Sequence, residues 1–102
     1  MIDQSFIKIH NGYIYIDADV HQKYFAGIEA VIMLKRDDKF WIMPVFNNAA
    51  GGLLMKVRNT RGDRAVAAMD FLRQYGLDDR IEKVCPVNWD SEASGLLIEL
   101  IR

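Results

Sequence analysis

The dipeptide Asn11-Gly12, set between two runs of alternating residues over 6–16, constrains the fold most strongly. Asn-Gly readily adopts the positive φ angles of a type I′ turn, so the segment predicts a β-hairpin with a two-residue loop. The loop sets the register, which places four apolar side chains on one face: Ile7, Ile9, Ile14 and Ile16. The other face then carries Lys8, His10, Tyr13 and Tyr15, as the two-residue period of a strand requires.

A short helix and a second hairpin are predicted next. Asp17 is a candidate N-cap for a helix over Ala18–Phe25, with Gly27 after its end and His21 exposed or half-buried. The apolar runs 30–34 and 40–43 flank five charged residues and predict the second hairpin, which ends near Pro44. Because both faces of these strands are apolar, helices, another sheet or a second copy of the chain must cover both.

The second half of the chain predicts a strand, a long helix and a third hairpin. A loop or hinge over 46–52 precedes a strand over 53–58. Residues 64–75 predict the longest helix, with Asp63 as its N-cap and Gly76 after its end. Two further strands are expected over 81–87 and 95–101, and no sequence repeat is visible.

Length and composition predict one globular domain. The chain has 102 residues, of which 51% are hydrophobic and 26% charged, enough to build a core without disulfides or metals. We expect an α+β fold: a mostly antiparallel sheet or barrel with one short and one long helix. A two-hairpin module over 1–45 would precede a strand-helix-hairpin module over 53–102.

Charge and cysteine content limit the function classes. A net charge of −1 argues against a surface that binds nucleic acid over its whole extent. One cysteine, Cys85, and two histidines predict no disulfide, no zinc site and no cofactor. With no export signal and no long apolar stretch, the sequence favours a cytoplasmic protein.

Hairpin, short helix and second hairpin over 6–46 resemble the AbrB/MraZ-type swapped-hairpin barrel. The resemblance is carried by the first turn and its second strand, 10–16, by the helix Ala18–Phe25, and by the apolar strands up to Met43-Pro44-Val45. It implies that two such modules interleave as a dimer and bind DNA through basic residues. Gly12 matches the family's turn glycine, whereas Tyr13 stands where an arginine is expected and Asp17-Ala18 replaces a proline.

Four cations precede the predicted long helix and form a candidate anion-binding or partner-binding site: Lys56, Arg58, Arg61 and Arg64. Unpaired amides at a helix N-terminus and arginine side chains both suit phosphate or carboxylate. The alternative is a solvated connection in which these cations pair with nearby acids such as Asp63.

Aromatic residues form the candidate interface: His10, Tyr13, Tyr15, Trp41 and Trp89. Interfaces favour Trp and Met, so the surplus of Trp, Phe and Met side chains points to a homodimer or to docking on a partner, unless it simply fills the core.

No catalytic constellation is visible, and Cys85, without a basic partner beyond Lys83, is expected in the core. The sequence therefore predicts a non-enzymatic accessory or regulatory protein that binds a protein partner. The alternatives are an AbrB/MraZ-like DNA-binding regulator and an anion- or nucleotide-binding domain that uses the 58–64 segment.

Overall fold

The computed structural model describes residues 4–46, 51–78 and 80–100. Its eight strands form one closed antiparallel barrel, and its two helices are short, so the fold is mainly β. The predicted antiparallel sheet or barrel is confirmed and is a barrel, but the α+β class with a long helix is wrong.

The first hairpin follows the predicted register. Strand β1 (Ser5–His10) pairs with β2 (Tyr13–Ile16), with Lys8 opposite Tyr15 and His10 opposite Tyr13. The turn residues Asn11 and Gly12 have φ angles of 50° and 82°. All four isoleucines are buried in the core.

Helix α1 spans Ala18–Phe25, as predicted, but its N-terminus is held differently. The side chain of Asp17 makes no capping hydrogen bond. Instead the amide of Ala18 donates to Oδ1 of Asp63 at 2.7 Å. A residue far along the chain therefore caps this helix, a contact that local patterning does not reveal.

The second hairpin is also confirmed. Strand β3 (Ala30–Arg36) pairs with β4 (Lys39–Val45), and Asp37 in the tight turn has a φ angle of 56°. Pro44 lies one residue before the end of β4, beyond the part of that strand, 40–42, that pairs with β8. Its missing amide therefore leaves that ladder intact. The predicted loop over 46–52 lies partly outside the described residues, at 47–50.

The predicted long helix over 64–75 is wrong. Strand β5 (Leu53–Val57) is followed by strand β6 (Arg64–Ala67) and by a helix α2 of only six residues, Met69–Gln74. Strand β6 is bonded on both sides, to β2 and to β5, and Val66 is fully buried between them. Ladder bonds and burial outweigh the helix propensity of the alanines, which is a weak local preference.

The last hairpin closes the barrel. Strand β7 (Lys83–Asp90) pairs with β8 (Gly95–Ile98) and, on its other side, with β1. The strands were predicted near these positions, but β7 continues past the predicted end at residue 87, through Trp89 and Asp90. Buried Cys85 on β7 confirms its predicted place in the core, and burial raises the pKa of its thiol.

Hairpins from the two halves of the chain alternate around the barrel. The strand order is β1-β2-β6-β5-β3-β4-β8-β7, so each half consists of a hairpin, a helix and a second hairpin, and each hairpin lies between two from the other half. The pairing is reciprocal, since β1 pairs with β7 and its counterpart β5 pairs with β3. The inner faces of the first half are therefore covered by the second half. On the outer face of β3, Ile32 remains 45% exposed.

The helices repeat this exchange between halves. The start of each helix is bound by the first turn of the other half. The amide of Ala18 in α1 donates to Asp63, and the amide of Ala68, just before α2, donates to the carbonyl of Gly12 at 2.9 Å. Tyr24 of α1 stacks on Trp89 of β7, and Tyr75, after α2, packs on Phe40 of β4. Repeated architecture thus exists without visible sequence repetition.

Candidate functional site

The strand registers bring cations and aromatic residues together on one outer wall of the barrel. Because Ile14 and Val66 face the core, their neighbours Tyr13, Tyr15 and Ala65 face outward. One row across the wall runs from Lys8 through Tyr15 and Ala65 to Lys56. We call this surface the cationic–aromatic wall; its residues are Phe6, Lys8, His10, Tyr13, Tyr15, Lys56, Arg58 and Val84.

Three side chains form the centre of the wall. The rings of Tyr13 and Tyr15 stack with their centroids 6.0 Å apart and their planes inclined by 24°. The guanidinium of Arg58 lies over the Tyr15 ring, 4.3 Å from its centroid. Tyr13 is 44% exposed and Arg58 is exposed, so this ladder is accessible to a ligand.

A shallow depression adjoins the ladder. Six side chains line it together with Ile7: Phe6, Lys8, Tyr15, Asp17, Arg58 and Val84. Two cations face one carboxylate there, while Phe6 and Val84 supply exposed apolar surface. Lys8 also pairs with Glu82 at 3.6 Å, an exposed contact that contributes little stability. The depression therefore suits a group that is anionic at one end and apolar beside it.

The candidate interface residues separate into three places. His10, Tyr13 and Tyr15 share the wall, as predicted. Trp41 lies elsewhere: it is 8% exposed and its indole donates to Oδ2 of Asp90 at 3.0 Å, which lowers the pKa of Asp90. Trp89 is 39% exposed and stacks on Tyr24 at 6.0 Å. Neither tryptophan lies with Tyr13 and Tyr15 on the wall.

The four candidate cations also separate. Lys56 and Arg58 lie on the wall, whereas Arg61 bonds Asp63 and Arg64 donates to the carbonyl of Gly62 at 3.2 Å. Arg64 begins β6, and the helix N-terminus that these residues were predicted to flank is absent. A single anion site made by all four is therefore not formed.

Asp63 is the main residue whose role the sequence did not reveal. It is 3% exposed and accepts hydrogen bonds from the Ala18 amide, from Nδ2 of Asn59 at 3.0 Å and from Nε of Arg61 at 3.0 Å. These bonds, from Arg61 above all, hold the pKa of its carboxyl far below the usual range. The signal in the sequence is the run 59–63, whose Asn and Asp are typical of turns.

His21 is buried, so its predicted exposed or half-buried position is wrong. Its Nε2 lies 3.1 Å from the carbonyl of Ile28 and donates to it, since a carbonyl can only accept. The imidazole thus ties α1 to the segment entering β3, which is a structural role.

Within the described ranges, no group of three or more His, Cys, Asp or Glu side chains is placed to hold a metal ion. Among those same residues no helix has the length and apolar character needed to cross a membrane. Comparison of the chain with protein-family models, with curated proteins and with solved structures finds no match.

Proposed function

We propose that this chain is a non-catalytic accessory or regulatory protein that binds a protein partner through the cationic–aromatic wall. The observation that supports it is the exposed ladder of Arg58, Tyr15 and Tyr13. Tyr and Arg are enriched among the residues that dominate binding energy at protein interfaces. Stacking also holds the three side chains in place before binding, so less conformational entropy is lost when a partner docks.

The charge of the wall indicates the partner's chemistry. Lys8, Lys56 and Arg58 are exposed there, against the carboxylates of Asp17 and Glu82. Complementary charges speed association and exclude wrong partners. The proposed partner therefore presents acidic side chains beside apolar ones. We place this interaction in the cytoplasm, where an unpaired cysteine such as Cys85 stays reduced.

Capture of binding proteins from the source cell tests the proposal. The bait variants are Arg58→Glu, on the wall, and Arg36→Glu, an equal charge change at the exposed end of β3, away from Ala30 and Val31, which pair with β5. We expect a captured protein to be lost, at least tenfold, with Arg58→Glu and retained with Arg36→Glu. Equal retention by both variants, or no capture by the wild type, would show that the wall is not a protein-binding surface.

DNA binding is the second candidate, and the alternation of hairpins around the barrel favours it. The arrangement is what the swapped-hairpin resemblance implies for two modules, here both supplied by one chain. The basic residues that could contact DNA do not all lie together. Lys8 lies on the wall, whereas Lys35 and Arg36 lie on β3, four strands away from β1 around the barrel. One DNA duplex would therefore contact Lys8, Lys56 and Arg58.

A salt titration distinguishes the two candidates. If the wall binds DNA, a labelled duplex should bind at low salt, weaken steeply as salt rises, and lose affinity with Lys8→Gln. Lys35→Gln, on the other side of the barrel, serves as the control. If the labelled duplex does not bind even at low salt, the DNA hypothesis is excluded.

A further inference from the structure

We infer that the occupant of the cationic–aromatic wall is an extended segment of the partner in which one residue separates an acidic side chain from an apolar one. This inference rests on the proposed function and defines its ligand. It follows from the positions of charge and apolar surface along β1 and β2.

The wall has two rows with different chemistry. In the first row, Lys8 lies opposite Tyr15, and Arg58 lies over that ring at 4.3 Å. In the second row, His10 lies opposite Tyr13, which is exposed and uncharged. A carboxylate is stabilised in the first row, between two cations, and an apolar side chain in the second, against the exposed side chain of Tyr13.

One carboxylate beside the wall, that of Glu82, strengthens this polarity. Glu82 precedes β7, two residues from Val84, which lies opposite Lys8, so Glu82 lies toward the His10 end and pairs with Lys8 at 3.6 Å. An acidic side chain in the second row would meet this negative charge. At the other end, Asp17 lines the depression together with Lys8 and Arg58, so a ligand carboxylate seated there competes with Asp17 for the two cations.

The spacing of the rows selects the spacing in the ligand. Residues two apart in an antiparallel strand project from the same face and are separated by roughly 6.8 Å. An extended peptide has the same repeat, so side chains at positions i and i+2 match the two rows. Adjacent residues would point to opposite faces, and residues four apart would span roughly 13.6 Å, past the second row.

Three capped peptides of identical composition test the inference. Their Glu and Leu are separated by no residue, by one or by three in an otherwise Gly-Ser chain, and Kd is measured by NMR titration. We expect the peptide with one intervening residue to bind at least fivefold more tightly than the others. Arg58→Gln and Tyr13→Ser should each abolish that preference, whereas Arg36→Gln should leave it unchanged; circular dichroism confirms that each variant is folded.

The outcomes separate this inference from the proposed function. Equal binding of all three peptides, or a preference that Arg58→Gln does not change, overturns the inference alone. The inference alone is also overturned if this chain captures a partner through the wall but binds none of the three peptides. Wall-dependent binding of duplex DNA, with neither peptide nor protein bound, overturns both.

Discussion

The two halves of the chain build the same sequence of elements but hold their helices by different chemistry. In the first half, the amide of Ala18 at the start of α1 is bound by a side chain, the carboxylate of Asp63. In the second half, the amide of Ala68 before α2 is bound by a backbone carbonyl, that of Gly12. The hydrogen-bond acceptor at the start of the helix is thus a side chain that can titrate and be replaced in one half, and the backbone of a tight turn in the other.

The turns that supply these contacts differ accordingly. Two residues, Asn11 and Gly12, join β1 to β2, whereas the longer segment 58–63 joins β5 to β6. A longer loop needs internal bonds to be ordered, and Asp63 supplies them through Asn59 and Arg61. A type I′ turn is ordered by its own backbone geometry. The comparison therefore predicts that stability depends on a side chain at one turn and on a glycine at the other.

Replacing Asp63 should have the largest effect. Asp63→Ala removes the cap of α1 and the bonds that order 58–63, and we expect the melting temperature to fall by roughly 10 °C. Asp63→Asn keeps an acceptor for Ala18 but loses the ionic contact with Arg61, so its melting temperature should lie between the two. Calorimetry measures all three, and an unchanged melting temperature for Asp63→Ala would contradict the capping role.

The two turn glycines provide a matched pair with a smaller effect. Gly12 has a φ of 82°, and a Cβ there would lie 2.7 Å from Sδ of Met69, whereas a Cβ at Gly62 (φ 100°) would meet Ala18 at an ordinary 3.7 Å. Both alanine variants carry the strain of a positive φ, about 1 kcal/mol, and Gly12→Ala adds the displacement of Met69. We expect Gly12→Ala to lower the melting temperature by roughly 6 °C and Gly62→Ala by less.

A double variant checks the cause of that difference. Gly12→Ala combined with Met69→Ala should show a coupling that brings the cost of Gly12→Ala close to that of Gly62→Ala. Equal effects of the two single variants would show that the contact with Met69 is relieved without cost.

The smallest effect is a pH dependence confined to the Asp63 contact. Because folding lowers the pKa of Asp63, the carboxylate contributes stability at pH values above its ordinary pKa of 3.8, and this contribution is lost as the pH falls below that value. The melting-temperature difference between wild type and Asp63→Asn should therefore be constant near neutral pH and shrink from about pH 5 to pH 2. A melting-temperature difference that grows as the pH falls would mean that folding does not lower the pKa of Asp63.

Local sequence predicted the part of the wall that lies on the first hairpin. The turn at Asn11-Gly12 and the alternation around it placed Tyr13, Tyr15 and Lys8 on one face in the observed register. Arg58 was recognised only as one of four nearby cations, because nothing local shows that β6 lies between β2 and β5. The stacking of Arg58 on Tyr15 follows from that strand order.

The same distinction explains the wrong helix. The alanines of 64–68 favour a helix when taken alone, yet β6 exchanges backbone hydrogen bonds with two strands and buries Val66 completely. Such pairings are made between residues far apart in the chain, so no window of sequence contains both partners.

The sequence by itself determined three of the four hairpins, the first helix and the inward set of isoleucines, because turn chemistry and side-chain period act over a few residues. Only the tertiary structure decided that hairpins of the two halves alternate, that Asp63 caps the helix of the other half, and that Arg58 meets Tyr15. These outcomes depend on which surfaces bury each other when the barrel closes, and that choice is made by the whole chain at once.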